Sequence, residues 1–284
     1  MTVNQYLNQA QKQLETAGIG TARLDALVLL EDVLGHDRAW VLAHPEHEIS
    51  AEKARRLTNL LKRRSQHEPL AYIRGHTEFY GRKFVITSDV LEPRSESETL
   101  IDLLKALPVF DRLDSSTSVQ RAKSRKTVKI GDVGTGSGAL GITTALELQN
   151  TQVDLLDIDP KALKVAKINV DKFTLNLNVV KSDLLADTRQ DYDVLVCNLP
   201  YVPDNFEINL AAGREPKVAI FGGPDGLDIY RRLFKQIKAR TVKPLYILIE
   251  ALPTQHAVLD EVVRQAGYKI IKKNDFIQVL QRQK

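Results

Sequence analysis

The chain has 284 residues, 43% hydrophobic and 27% charged, with a formal net charge of +4; it is long enough for a sizeable core in one large domain or two smaller ones, and too mildly basic to demand a polyanionic partner. Its one cysteine, Cys197, excludes an intramolecular disulfide framework and fits a reducing compartment. No apolar run reaches the ~18 residues of a membrane helix, and the opening Met-Thr-Val-Asn-Gln-Tyr shows no basic region followed by an apolar one, so the expectation is a cytoplasmic protein with no membrane attachment.

Residues 1–68 read as helix throughout. Leu24, Leu27, Leu30 and Leu34 fall on one helical face and Gly35 is a stop signal. Ala54, Leu57, Leu60 and Leu61 repeat the pattern behind a cap at Ser50, with Lys53 where a capping box places Glu. Trp40-Val41-Leu42 reads as a short buried turn before Pro45. No catalytic constellation is present here, so this part reads as a small bundle that packs on or orients something else. Glu78–Ile86 reads as a hairpin about Gly81. Pro93 and Arg94 fix a turn, and Glu96 and Glu98 open a helix whose N-terminus favours acids. Asp111–Lys126 is polar and Ser-rich, a solvated loop. Its basic end could touch RNA, although a charge run is more often simply solvated.

From Val128 strand and helix alternate: strand 128–133, helix 139–149, strand 153–157, helix 160–171, strands 177–181 and 192–197, then Tyr246–Glu250 and a closing antiparallel pair at 269–271 and 276–280. That alternation predicts an α/β fold, a mostly parallel, Rossmann-like sheet with helices on both faces. The first strand runs into Gly134-Thr135-Gly136-Ser137-Gly138, a turn that lets a ligand approach bare backbone. Asp157 lies 21 residues past Gly136, the place for a carboxylate that accepts ribose hydroxyls; Asp159 is its competitor. The fourth strand ends in Asn198-Leu199-Pro200-Tyr201. Ligands of open α/β sheets bind at the carboxyl ends of the strands, so all three stretches point at one crevice. No Walker lysine follows the glycines, which favours an adenosine-bearing ligand without a pyrophosphate, such as S-adenosyl-L-methionine.

Asp132-Val-Gly-Thr-Gly-Ser-Gly138, Asp157-Ile-Asp-Pro-Lys-Ala-Leu163, Ser182-Asp183-Leu184 and Asn198-Leu-Pro-Tyr201 together resemble the class I methyltransferases that methylate a planar nitrogen. Among these the chain is most similar to the peptide-chain release factor N5-glutamine methyltransferases, from Gly18 to Leu233. Gly18–Ala26, Glu68–Gly75 and Leu91–Glu98 resemble that family's opening, interdomain segment and Pro-Arg-Pro-Glu-Thr-Glu element, with Ser95 for the second proline. The resemblance implies a helical substrate-docking domain at 1–70, a hairpin linker at 71–95 and a methyltransferase domain at 96–284. It implies S-adenosyl-L-methionine held by Gly134, Thr135, Gly136, Ser137, Gly138, Asp157, Asp183, Leu184 and Asn198, with Asp183 accepting from the adenine amino group. It also implies a release factor as protein partner, methylated on the glutamine of a Gly-Gly-Gln loop, with no stable nucleic-acid binding and a monomeric enzyme.

The chemistry assigned to Asn198, Leu199, Pro200 and Tyr201 follows from the target. An amide nitrogen is a poor nucleophile because its lone pair is delocalised. Oxygens that accept both N–H hydrogens aim that lone pair and oppose positive charge developing on nitrogen. The Asn198 side-chain oxygen can accept one and the Leu199 carbonyl the other, with Tyr201 flat against the amide and Pro200 stiffening the turn. The family's motif is Asn-Pro-Pro-Tyr; Leu199 gives up rigidity and frees Asn198 from the pre-proline restriction. Alternatives are a ribosomal-protein glutamine, adenine in DNA or RNA, and a catalytically weak cofactor-binding scaffold. Arg214–Pro216 and Phe221–Arg231 resemble a loop closing over substrate, although Gly222–Gly226 is also a plain turn cluster. The six histidines show no metal spacing; His44 and His47 read as surface residues, and Cys197 as core.

Overall fold

The computed structural model describes residues 1–110 and 127–283. The Asp111–Lys126 reading therefore lies outside the described residues. The chain forms two compact units, one of Met1–His76 with Ile208–Arg214, the other of Thr77–Glu207 with Glu215–Lys284.

The first unit is helical: α1 (Val3–Thr16), α2 (Ala22–Leu34), α3 (Arg38–Ala43), α4 (Ala51–Ser65) and α5 (Leu70–Arg74). Thr2 and Gln5 close a capping box on α1. Gly35 ends α2 at φ +77°, the left-handed stop. Ser50 Oγ accepts from the Lys53 amide at 3.3 Å, and the Lys53 ammonium turns back to cap the Leu34 carbonyl instead of completing a box. Leu14, Leu29, Leu30, Val41 and Leu57 are fully buried. Leu27, Leu30 and Leu34 face this core, but Leu24 is 46% exposed. The drift of 3.6 residues per turn carries that first leucine off the stripe. Likewise only Val41 of the Trp40–Leu42 run is buried. Six-residue α3 buries only Val41 fully; Trp40 is half-buried against the edge of the core, stacked by His36 and His44 and met edge-on by His47.

The second unit begins at Thr77, inside the first strand of the hairpin β1 (His76–Phe79) and β2 (Arg82–Val85), turned through Tyr80 and Gly81, both at positive φ. A 3₁₀ turn, Ser95–Ser97, leads into α6 (Glu98–Lys105). The remaining elements are β3 (Val128–Val133), α7 (Ala139–Glu147), β4 (Thr151–Asp157), α8 (Pro160–Lys172), β5 (Asn178–Lys181), β6 (Val194–Cys197), α9 (Asp228–Ala239), β7 (Tyr246–Glu250), α10 (His256–Gln265), β8 (Tyr268–Asn274) and β9 (Ile277–Arg282). Seven strands form one sheet in the order β5-β4-β3-β6-β7-β9-β8. The first five are mutually parallel, and β9 runs antiparallel to β7 and β8. The order reverses between β3 and β6, which is the switch point where such a sheet opens a crevice.

Register fixes what meets there. Val133 pairs with Leu156 on one side and Cys197 on the other. Asp157 pairs with Lys181, and Cys197 with Ile249. The next residue after Val133, Cys197 and Ile249 therefore brings Gly134, Asn198 and Glu250 to the level of Asp157 and Lys181. Strands β6 and β7 are buried along their whole length, as inner strands covered on both faces must be, and Cys197 lies wholly inside. No helix among the described residues is long and apolar enough to cross a membrane.

Candidate functional site

A cleft opens at the carboxyl ends of β3, β4 and β6. Of the residues singled out from sequence, Gly134, Gly136, Asp157, Asp183, Leu184, Asn198, Leu199 and Pro200 line it. Thr135, Ser137, Gly138 and Tyr201 are not among its lining residues; they hold the lining in place from behind. The Thr135 hydroxyl donates to Asp132 Oδ2 at 2.5 Å. The Ser137 carbonyl accepts from Asn169, which also bonds Val85 through both ends of its amide and so ties the hairpin to the glycine turn.

The glycine turn is organised by two carboxylates. Asp132, at the end of β3, accepts from Thr135 and from the Gly141 amide at 2.9 Å, while its buried Oδ1 has no protein partner among the described residues. Burial pushes its carboxyl up to about 6, opposed by those two donors. Asp157 accepts from the Gly136 amide through Oδ2 and from the Asp159 amide through Oδ1, each at 2.9 Å. Burial also raises the Asp157 carboxyl, and its two oxygens keep lone pairs for further donors. Asp159 is committed differently: its carboxylate caps α8 by accepting from the Lys161 amide. Asp159 lines the cleft as well, so both acids stand at it.

Asp183 is already engaged. Both its oxygens lie 2.5–2.6 Å from the Arg232 guanidinium of α9, and Arg232 itself lines the cleft. Sequence reasoning missed this arginine because nothing in α9 marks which of its cations reaches back 49 residues. Leu184 sits at φ +55°, a strained conformation for a branched residue. The apolar walls, Val90, Leu91, Ile158, Ala162 and Ile229, suit a flat base.

At the end of β6, Asn198 Nδ2 donates to Ser97 Oγ at 2.9 Å. Ser97 donates to Glu250 Oε2 at 2.7 Å, and the Tyr201 hydroxyl donates to Glu250 Oε1 at 2.9 Å. Burial raises the Glu250 carboxyl, opposed by the hydrogen bonds from Ser97, Tyr201 and Asn198. Ser97 and Glu250 are 2% exposed. Their sequence signal was weak: Ser97 stands inside the Pro93–Glu98 element, and Glu250 is only the last residue of an apolar strand.

Leu199 is 3% exposed and belongs to the core. The leucine that replaces a motif proline is therefore fixed by packing rather than by its ring. Gly222–Gly226 supports the turn from behind. Val202 and Phe221 form a bridge, a Cβ on Gly226 would fall 2.1 Å from the Tyr201 carbonyl, and one on Gly222 would fall 2.4 Å from the Pro200 carbonyl. The glycine-rich run is a buttress; the loop residues that reach the cleft are Pro216, Val218 and Ala219. Beside them Arg94 ion-pairs with the buried Glu215.

No group of three or more metal-ligating side chains occurs among the described residues. The bare backbone of Gly134 and Gly136, the free lone pairs of Asp157 and the apolar walls fit an adenosine-bearing cofactor. A family model described as PrmC N-terminal domain matches residues 5–75, and one described as methyltransferase small domain matches residues 106–214. The release factor glutamine methyltransferase of Koribacter versatilis is 36% identical over 243 residues, 84% of this chain and 81% of that protein. The bifunctional methyltransferase of Rickettsia typhi is 32% identical over 95% of this chain, which spans 54% of that longer protein. The solved catalytic domain of hMettl16, in complex with an RNA hairpin, shares the fold with a TM-score of 0.52 at 15% identity, 82% of each chain being covered.

Proposed function

We propose that this chain, which belongs to the release factor glutamine methyltransferase family, transfers a methyl group from S-adenosyl-L-methionine to the side-chain amide nitrogen of a glutamine in a peptide-chain release factor. The observation that carries this reading is the orientation of Asn198. Its Nδ2 is held by Ser97, so its Oδ1 is the end left to accept an N–H hydrogen. The Leu199 carbonyl, one residue on, is the second acceptor. Two acceptors on one NH2 group restrict its rotation and oppose positive charge developing on its nitrogen. When bound, the cofactor supplies an electrophilic sulfonium methyl. The bare backbone of Gly134 and Gly136 would let it approach closely, Asp157 would accept its ribose hydroxyls, and Asp183 with the Leu184 amide would meet its adenine.

The Gly-Gly-Gln loop as target and a monomeric, cytoplasmic enzyme without stable nucleic-acid binding belong to the same proposal. The test is incorporation of a labelled methyl group into purified release factor, with ribosomal protein and DNA as parallel acceptors. Transfer to release factor is expected from the wild type, falling by roughly 100-fold or more in Asn198→Ala, the scale on which removing one directed charge-stabilising group acts. Equal incorporation by both proteins refutes the role given to Asn198. Preferential labelling of ribosomal protein or DNA refutes the substrate.

A further inference from the structure

Glu250 is a buried carboxyl whose side-chain hydrogen-bond partners are two hydroxyls, those of Ser97 and Tyr201, with the Asn198 amide held on the far side of Ser97. Burial works against the ionised form of such a group, so its donors must compensate if it is to stand as a carboxylate. A leucine or a glutamine at the end of β7 would avoid that cost. Hydrogen-bond direction shows what the charge accomplishes. An ionised carboxylate only accepts. Ser97 therefore spends its one hydroxyl hydrogen on Glu250, and its oxygen can only accept from the next group. That group is Asn198, which must present Nδ2. The opposite end of the carboxamide, Oδ1, is then directed away from Ser97. If Glu250 were neutral and donated to Ser97, the Ser97 hydrogen would be free to point at Asn198. The carboxamide could then turn over and present donors where the substrate NH2 needs an acceptor.

We infer that Ser97 and Glu250 form a positioning relay that sets the polarity of the Asn198 carboxamide, with Tyr201 anchored to the same carboxylate. The relay rests on the proposed function for its catalytic consequence, but its hydrogen-bond direction is independent of it. Residues from three separate elements take part: Ser97 from the 3₁₀ turn, Asn198 and Tyr201 from the turn after β6, and Glu250 from β7. The turn is thereby locked to the sheet at both ends of its tetrapeptide.

The test compares full-length wild type, Ser97→Ala, Ser97→Thr and Glu250→Gln. Steady-state methyl transfer, cofactor binding by calorimetry and the side-chain amide resonances of Asn198, assigned by their loss in Asn198→Asp, are measured on each. Ser97→Ala and Glu250→Gln are expected to lower kcat by roughly 10- to 100-fold, the usual range for groups that orient a site residue, with KM and cofactor Kd within about twofold of wild type. Ser97→Thr, which keeps the hydroxyl, restores kcat. The Asn198 amide resonances shift in Ser97→Ala and return in Ser97→Thr. The relay is overturned if kcat stays unchanged in both Ser97→Ala and Glu250→Gln, or if cofactor affinity and melting temperature fall in step with kcat, the pattern of a merely structural role. Should the wild type transfer no methyl group, the functional reading fails, and the Asn198 resonances alone decide the relay. Resonances that ignore Ser97→Ala reject it.

Discussion

Leu199 lies directly over Gly134: a Cβ built on that glycine would come 2.8 Å from Leu199 Cδ2. The first glycine of the cofactor turn and the residue after Asn198 are thus one packed contact. Gly134 also sits at φ +74°, where a side chain is strained. Gly134→Ala is therefore expected to destabilise the protein by about 1–3 kcal/mol and to weaken cofactor binding. Adding Leu199→Ala should recover part of the binding by removing the clash, although not the φ strain. Equal cofactor affinity in Gly134→Ala and wild type, read by calorimetry, counts against the coupling.

Asp157 offers a pH test of the ribose contact. Its carboxyl lies above the ordinary carboxylate value because it is buried, and it must be ionised to accept from two hydroxyls. Cofactor affinity should be flat above that raised pKa and fall as pH drops through it, by about tenfold per pH unit at the limiting slope. In Asp157→Asn the affinity should be lower throughout and the slope absent. A slope that survives in Asp157→Asn would assign the titration to another group.

Asp132 bears on stability. Burial raises its carboxyl from 3.8 to about 6 in the folded protein. The folded state then holds the proton more tightly than the unfolded one, so this group favours folding most below pH 3.8 and loses that contribution as pH rises through about 6. Asp132→Asn keeps acceptors for Thr135 and Gly141 without the buried charge. The difference in unfolding free energy between variant and wild type should grow by on the order of 2–3 kcal/mol in favour of the variant from pH 4 to pH 7. Denaturant melts at both pH values measure it, and a pH-independent difference rejects the assignment.

Gln255 holds two parts of the turn support together. Its Nε2 donates to the Tyr201 carbonyl and the Asp225 carbonyl, each at 2.7 Å. Gln255→Ala leaves both without this donor and should cost about 1–3 kcal/mol. A fall in kcat larger than any change in KM is expected, because the Asn198–Tyr201 turn loses its rear support. Urea melts and steady-state kinetics on the same preparation check the two parts.

Much of the site was legible because it is local. The Gly134–Gly138 turn, Asp157 at the end of the second strand and Asn198–Tyr201 at the end of the fourth are runs whose residue types carry their own backbone consequences. The period-2 and period-3.6 patterns placed the parallel strands and most helices within a few residues. The Leu24 error shows the limit of that reasoning, since a stripe near a helix end is set by how the helix lies on its neighbours. The Gly222–Gly226 run shows another: its glycines meet the Pro200 and Tyr201 carbonyls, and no rule of turn composition says which backbone a turn will touch.

The sequence by itself determined the order of strands and helices, the glycine turn, the acid that follows it and the Asn-Leu-Pro-Tyr stretch, because each depends on backbone preference and spacing along one segment. Only the tertiary structure decided that Ser97 and Glu250, 153 positions apart, share a hydrogen bond beneath Asn198, that Arg232 holds Asp183, and that Leu199 packs onto Gly134. Those contacts come from strand register and sheet order, which are settled by the packing of the whole chain and leave no mark on any short stretch of it.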